Sequence, residues 1–314
     1  MSKFLSAIVG VAALVAAICI VCIAPSRGRE PSCGPRIAIS PAKFPARLVE
    51  TEDFQTSQDA LMLTDLNRID DNPISKSLDE NLIKPYYDDI FTIDYAFNTV
   101  EVTEWQFPDC PVIWRAIEDC AQILNLPKKP RLFIESSPRL NAYTMNISDP
   151  IIVITSGLLR ELTDERELRF IIGHEMGHIK CQHVKWVSII RFIYQYAHDG
   201  VLQKGFMALL AQAGLAHWIR EGEYSADCAG LVCAQDLEVS QRTLFLLATG
   251  FGVGVIGQGN LDDFVNQVDN RDFSIAAEAM QTSRGINRDH PYLAYRIKHL
   301  AEYAQDSRYL NLWN

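Results

Sequence analysis

The chain has 314 residues and a mass of 35.4 kDa, room for one large domain or two small ones with a substantial core. Hydrophobic side chains make up 48% and charged ones 22%, which excludes a disordered chain. Lys and Arg number 29 against 39 Asp and Glu, a net charge of −10 with no basic run to offset it, so the footprint of a nucleic-acid binder is missing.

In chain order, Phe4 to Ile23 is an unbroken uncharged stretch of 20 residues, preceded by Lys3 and followed by Arg27 and Arg29. At ~1.5 Å rise per residue it reaches across a ~30 Å hydrocarbon layer, so residues 1–24 are expected to anchor the chain in a membrane. A removed signal peptide is the alternative, although its apolar region usually runs only about 7–15 residues. Basic residues flank both ends, and charge therefore leaves the orientation open. Five prolines between 25 and 45 (Pro25, Pro31, Pro35, Pro41, Pro45) read as an extended spacer. Residues 46–89 carry 11 acidic and 4 basic side chains, either a solvated arm or a cover over the later domain. The expected divisions are an anchor or signal segment at 1–24, a Pro-rich linker and acidic arm at 25–84, and a catalytic body at 85–314.

Six cysteines lie outside the apolar stretch (Cys33, Cys110, Cys120, Cys181, Cys228, Cys233) and none forms a CxxC pair, so a structural zinc knuckle is not expected and most read as small buried hydrophobes. Asp109-Cys110-Pro111 is a helix start, followed by Val112, Ile113, Ala116, Ile117, Cys120, Ile123 and Leu124 at helical spacing and stopped by Pro127 and Pro130. Three strand-like runs come next, Arg131–Glu135, Asn141–Met145 and Ile151–Thr155, separated by turn-formers. From Thr163 onward the chain reads as mostly helical, giving an α+β fold, mainly helical, with a small sheet ahead of a helical body. The apolar stretches 201–219 and 243–259 are interrupted by polar residues and glycines and read as core or gate helices.

Arg160 to His183 reads as one helix, and within it lies His174-Glu175-Met176-Gly177-His178. Two histidines four apart share a helical face, so both imidazoles can reach one metal ion, while Glu175, rotated about 100°, stands beside the water that such a metal activates. Phe170, Ile171, Ile172 and Ile179 make this a buried helix, where a Glu and two His are costly unless a metal compensates them. A third ligand is needed. A third His in the spacing of one known class would fall at 184, which is Val184; His183 is one place off. Glu223-Tyr224-Ser225-Ala226-Asp227 offers the alternative: Glu223 as ligand, and Asp227, four residues on, accepting the free N–H of a ligand His, expected to be His174. Two His and one carboxylate suit several divalent ions.

His174–His178, then Glu223-x-x-x-Asp227 with Gly230, resembles the gluzincin zinc metalloendopeptidases of the HtpX and CAAX-prenyl-protease type. Asn141-Ala142-Tyr143, the run Ile152–Leu159, and His290-Pro291 with Arg296 six residues on resemble further motifs of that family, over about residues 85–314. The resemblance implies a gluzincin core whose small sheet offers an edge strand to the cleft, one zinc ion per chain held by His174, His178 and Glu223, and Glu175 as general base and acid. It also implies an oxyanion donor in His290 or Arg296, with Arg296 open to a structural ion pair with Asp227, and substrate binding along Asn141, Ala142 and Tyr143. The implied partners are protein or peptide substrates and, through the N-terminal helix, a membrane, in quality control or processing. HtpX-type members have several transmembrane helices and this chain has one candidate, so it is closer to singly anchored or exported members, with an extracytoplasmic body. Competing readings are a metal-stabilised chaperone or assembly factor that holds clients without cutting them, and a scaffold whose His pair is structural.

Overall fold

The computed structural model describes residues 37–70, 99–103, 111–196, 215–250 and 293–314, with a few single positions between them. All of these belong to the second of two units into which the chain's contacts divide, Pro35–Asn314. The expected anchor at 1–24 lies outside the described residues, as does His290; among the described residues no helix is long and apolar enough to cross a membrane.

A helix, α1 (Ser57–Asp70), precedes a short strand, β1 (Thr99–Glu101), and the helix α2 (Pro111–Ile123). The strands β2 (Arg131–Glu135), β3 (Ala142–Met145) and β4 (Ile151–Thr155) come after it. They pair in the order β1-β2-β4-β3, with β2 and β4 parallel and the two outer pairings antiparallel, so β3 is an edge strand. β4 reads Ile-Ile-Val-Ile-Thr and is buried throughout because it has a neighbour on each side and packing on each face. Ile152 and Ile154 enter the main core, while Ile151 and Val153 turn to a smaller cluster with Met145, Phe133 and Tyr143.

The single helix expected from Arg160 to His183 is three pieces: α3 (Ser156–Glu161), α4 (Glu165–Lys180) and the start of α5 (His183–Tyr196). Asp164 causes the first break. Its side chain accepts the Arg166 N–H at 2.8 Å, and Glu167 reaches back to accept the N–H groups of Thr163 and Asp164 at 2.7 and 3.0 Å, a capping box that restarts the helix. The second break is a turn at Cys181-Gln182, where Gln182 takes a left-handed φ of 58°.

α4 lies against α6 (Leu215–Ala234), and small residues set how closely. A Cβ on Gly177 would come within 2.9 Å of Ala226 Cα and Ala229 Cβ, and one on Gly173 within 2.7 Å of the Cys233 side chain. The two helices therefore pack nearly backbone to backbone. α7 (Leu237–Thr249), α8 (Leu293–Tyr303) and the short α9 (Ser307–Leu310) complete the described body. Cys120, Cys181, Cys228 and Cys233 are free thiols buried in it, packing as hydrophobes.

Residues 37–70, part of the stretch that reads from sequence as spacer and arm, pack into this body. Ala38 exchanges backbone hydrogen bonds with Thr163 and Glu165, and Arg169 Nη1 donates to Ser40 O at 2.6 Å. Val49 and Phe54 are fully buried in the main core, and Tyr303 donates to Asp53 O at 2.8 Å. Thr56 N donates to Ser225 Oγ at 3.0 Å, seating the start of α1 on α6.

Candidate metal centre

Because α4 and α6 pack so closely, the one-turn spacings on each helix converge. His174 Nε2 lies 3.1 Å from His178 Nε2, and Glu223 of α6 brings Oε1 to 3.4 Å from His178 Nε2 and Oε2 to 3.7 Å from His174 Nε2. Two N or O ligands at ~2.0–2.2 Å from one tetrahedral ion stand about 3.4 Å apart. The three separations straddle that value, so these side chains fit a single divalent ion.

The residues around the three fix their protonation and rotamers. His174 Nδ1 is 2.9 Å from Asp227 Oδ1, and Arg296 of α8 is paired to both Asp227 oxygens at 2.7 Å. Burial works to raise the Asp227 carboxyl, but the Arg296 charge and the hydrogen bonds from Arg296 and His174 hold it below the usual range. An ionised Asp227 is an acceptor only, so His174 carries its proton on Nδ1 and presents a lone pair on Nε2. Burial also holds the His174 imidazole below its usual 6.5, which keeps it neutral and able to ligate. Arg296 further places Nη1 2.8 Å from Glu223 Oε2, so one guanidinium steadies the carboxylates of both Glu223 and Asp227. Of the two roles left open for Arg296, its contacts favour the ion pair; it is 1% exposed and borders the same pocket as His174 and Glu175.

Glu175 is 2% exposed, and its Oε2 accepts the Thr144 hydroxyl at 2.6 Å. Nothing in the sequence singles out Thr144, and only the pairing of β3 with β4 fixes which way it faces. Along β3 the faces alternate: Ala142 borders the pocket and Thr144 meets α4, whereas Tyr143 turns to the opposite face and donates to Glu135 Oε2 at 2.8 Å. Of Asn141, Ala142 and Tyr143, then, Ala142 is brought to the pocket, Asn141 bonds through its main chain to Thr155, and the Tyr143 ring is directed away.

Residues 111–304, more than half of the chain, match the family described as Peptidase family M48. The chain is 27% identical over 294 residues to "Plastoglobule-localized metallopeptidase 48, chloroplastic" of Arabidopsis thaliana, covering 91% of this chain and 80% of that protein. It is 38% identical over 94 residues to a "Protease HtpX homolog" of Streptococcus pyogenes, covering 29% of this chain and 30% of that protein. A protein of the same name from Pediococcus pentosaceus is 34% identical over 89 residues, covering 28% and 29%. The chain thus matches less than a third of the length of those HtpX homologs. No solved structure matches it. With both the His-Glu-x-x-His helix and the carboxylate helix inside the matched residues, the chain belongs to peptidase family M48 and is a metalloendopeptidase.

Proposed function

We propose that the protein is a zinc endopeptidase acting on protein substrates, with His174, His178 and Glu223 as the zinc ligands and Glu175 as general base. The observation that carries this reading is the convergence of three lone-pair donors at tetrahedral spacing beside a buried glutamate held by Thr144. Bound zinc supplies the Lewis acidity that activates a water and polarises the scissile carbonyl. Glu175 takes the proton from the attacking water and returns it to the leaving amine, both transfers being open to one carboxylate whose orientation Thr144 fixes. Asp227 keeps His174 in the ligating tautomer, and Arg296 holds Asp227 and Glu223 in register. The edge strand β3 offers its main chain to an extended substrate, with Ala142 on the pocket side. His290 is retained as a candidate oxyanion donor, and residues 1–24 as the tether to a membrane.

The test uses the purified full chain and its Glu175→Gln form. The variant should keep one zinc per chain and lose cleavage of an unfolded protein by a factor of about 10²–10⁴. Cleavage at the wild-type rate would remove Glu175 from the mechanism; a wild-type chain that takes up no zinc would remove the metal assignment. Holding of unfolded clients that survives in the variant would favour the non-cleaving reading.

A further inference from the structure

His174 has a carboxylate behind it; behind the other candidate ligand histidine stands a second imidazole. The Nδ1 of His178 lies 2.9 Å from the Nδ1 of His183, the first residue of α5. The turn at Cys181-Gln182 swings His183 back over the end of α4, so the two rings stand 5.1 Å apart. Space for the His183 ring is left by Gly222, where a Cβ would come within 3.2 Å of His183 Cε1; Gly222 adjoins the candidate ligand Glu223. On its far side, His183 Nε2 faces both oxygens of Asp59 at 2.9 and 3.0 Å. Asp59 sits in the first turn of α1, is 0% exposed, and also accepts hydrogen bonds from Trp218 Nε1 at 2.8 Å, Ser225 Oγ at 2.8 Å and Gln55 Nε2 at 3.1 Å.

The hydrogen-bond polarity of this chain of groups is determined from its carboxylate end. Among the described residues five contacts reach the Asp59 carboxylate, and each comes from a group able to donate, as an ionised carboxylate requires. His183 must then carry a proton on Nε2, because a lone pair held against two carboxylate oxygens at that distance would be repelled. A neutral His183 protonated on Nε2 has only a lone pair on Nδ1. Among the described residues, the group facing that lone pair at hydrogen-bond distance is His178 Nδ1, which must therefore donate. His178 is left with its lone pair on Nε2, the atom that lies 3.1 Å from His174 Nε2 and 3.4 Å from Glu223 Oε1.

We propose that the Asp59–His183 pair is a positioning device for the metal centre, fixing the tautomer and ring orientation of His178 as Asp227 does for His174. The proposal rests on the assignment of His178 as a zinc ligand. It makes α1, which precedes the residues matched by the family, a part of the site. Asp59, Cys181 and His183 also lie close enough together to be taken for a metal site of their own. That alternative does not fit, because both Asp59 oxygens are already engaged by the donors Trp218, Ser225 and Gln55.

Two measurements on the full chain test this. The first is zinc affinity, by competition with a chromogenic chelator. Asp59→Asn and His183→Phe should each weaken binding by about 10–100-fold, the usual consequence of losing a residue that orients a metal ligand. Asp65→Asn, an exposed change on the same helix, should leave it unchanged. Thermal unfolding of the metal-free forms reports whether each variant is folded. Folded Asp59→Asn and His183→Phe proteins that bind zinc within twofold of wild type would overturn the proposal. The second measurement needs no variant: nitrogen-15 spectra of histidine in metal-free wild-type protein should show His178 protonated on Nδ1 and His183 on Nε2. His178 protonated on Nε2, or His183 protonated on both nitrogens, would overturn it as well. A wild-type chain without zinc would instead defeat the metal assignment, while the spectra would still decide the tautomers.

Discussion

The two candidate ligand histidines are one turn apart on α4, yet they are held from opposite ends of the chain. His174 is braced by Asp227 on α6 and Arg296 on α8; His178 faces His183 on α5 and, behind it, Asp59 on α1. The first brace is ionic, with Asp227 0% and Arg296 1% exposed, and its guanidinium also holds Glu223. The second inserts a ring between the carboxylate and the ligand, so the Asp59 charge acts at one remove. The first brace is therefore expected to govern whether the body holds together, and the second how well one ligand is aimed.

The sharpest way to break the ionic side is Arg296→Met, which leaves two buried carboxylates without their cation. It should cost about 3–5 kcal/mol of unfolding free energy in the metal-free protein, measured by urea denaturation. A smaller stability loss with a large effect on the site is expected from Gly177→Val. Its Cβ would meet Ala226 Cα and Ala229 Cβ, so the helices must part, at about 1–3 kcal/mol and with loss of zinc binding as Glu223 recedes.

Both braces share a response to acid. Burial holds the His174 and His183 imidazoles below the usual 6.5, against the pull of their aspartates. The unfolded chain takes up protons there first, so metal-free stability is full above about pH 6.5 and falls as pH drops toward the lowered folded values. Burial works to raise the Asp59 and Asp227 carboxyls, but hydrogen bonds from His183, Ser225 and Gln55 and the charge of Arg296 keep both below their usual 3.8. Their contribution is present above 3.8 and is lost as pH falls through the folded values. Thermal unfolding between pH 8 and pH 3 should show both declines; a flat profile across pH 6.5 would contradict the neutral state of the histidines. The smallest expected effect lies outside both braces: Thr144→Val should keep zinc and lower kcat about tenfold, by removing one hydrogen bond to a charged group.

Residues four apart on a helix share a face in any fold, so His174 with His178, and Glu223 with Asp227, are legible as pairs in the sequence. The strand runs near 131, 141 and 151 are legible from their β-branched and apolar residues. The hidden parts depend on geometry that only packing supplies. Asp59 is 124 residues ahead of His183, in a stretch whose acidic composition resembles a solvated arm. Helical phase alone points His183 away from the site, because the left-handed Gln182 that resets the phase leaves no mark in apolar periodicity. The outward turn of Tyr143 and the inward turn of Thr144 come from strand register, which a four-residue strand does not announce.

The backbone lacing of Ala38 and Ser40 onto the start of α4 bears on how the body would respond to proteolysis. A protease clipping the chain ahead of residue 37 would release a body with every described contact intact. A cut between 40 and 59 would sever from the body Ala38 and Ser40, which fasten the helix start at Glu165, while Asp59 would stay joined to the body through α1. Cleavage of the N-terminal stretch is thus tolerated up to a definite boundary, and beyond that boundary the same kind of cut would serve as inactivation.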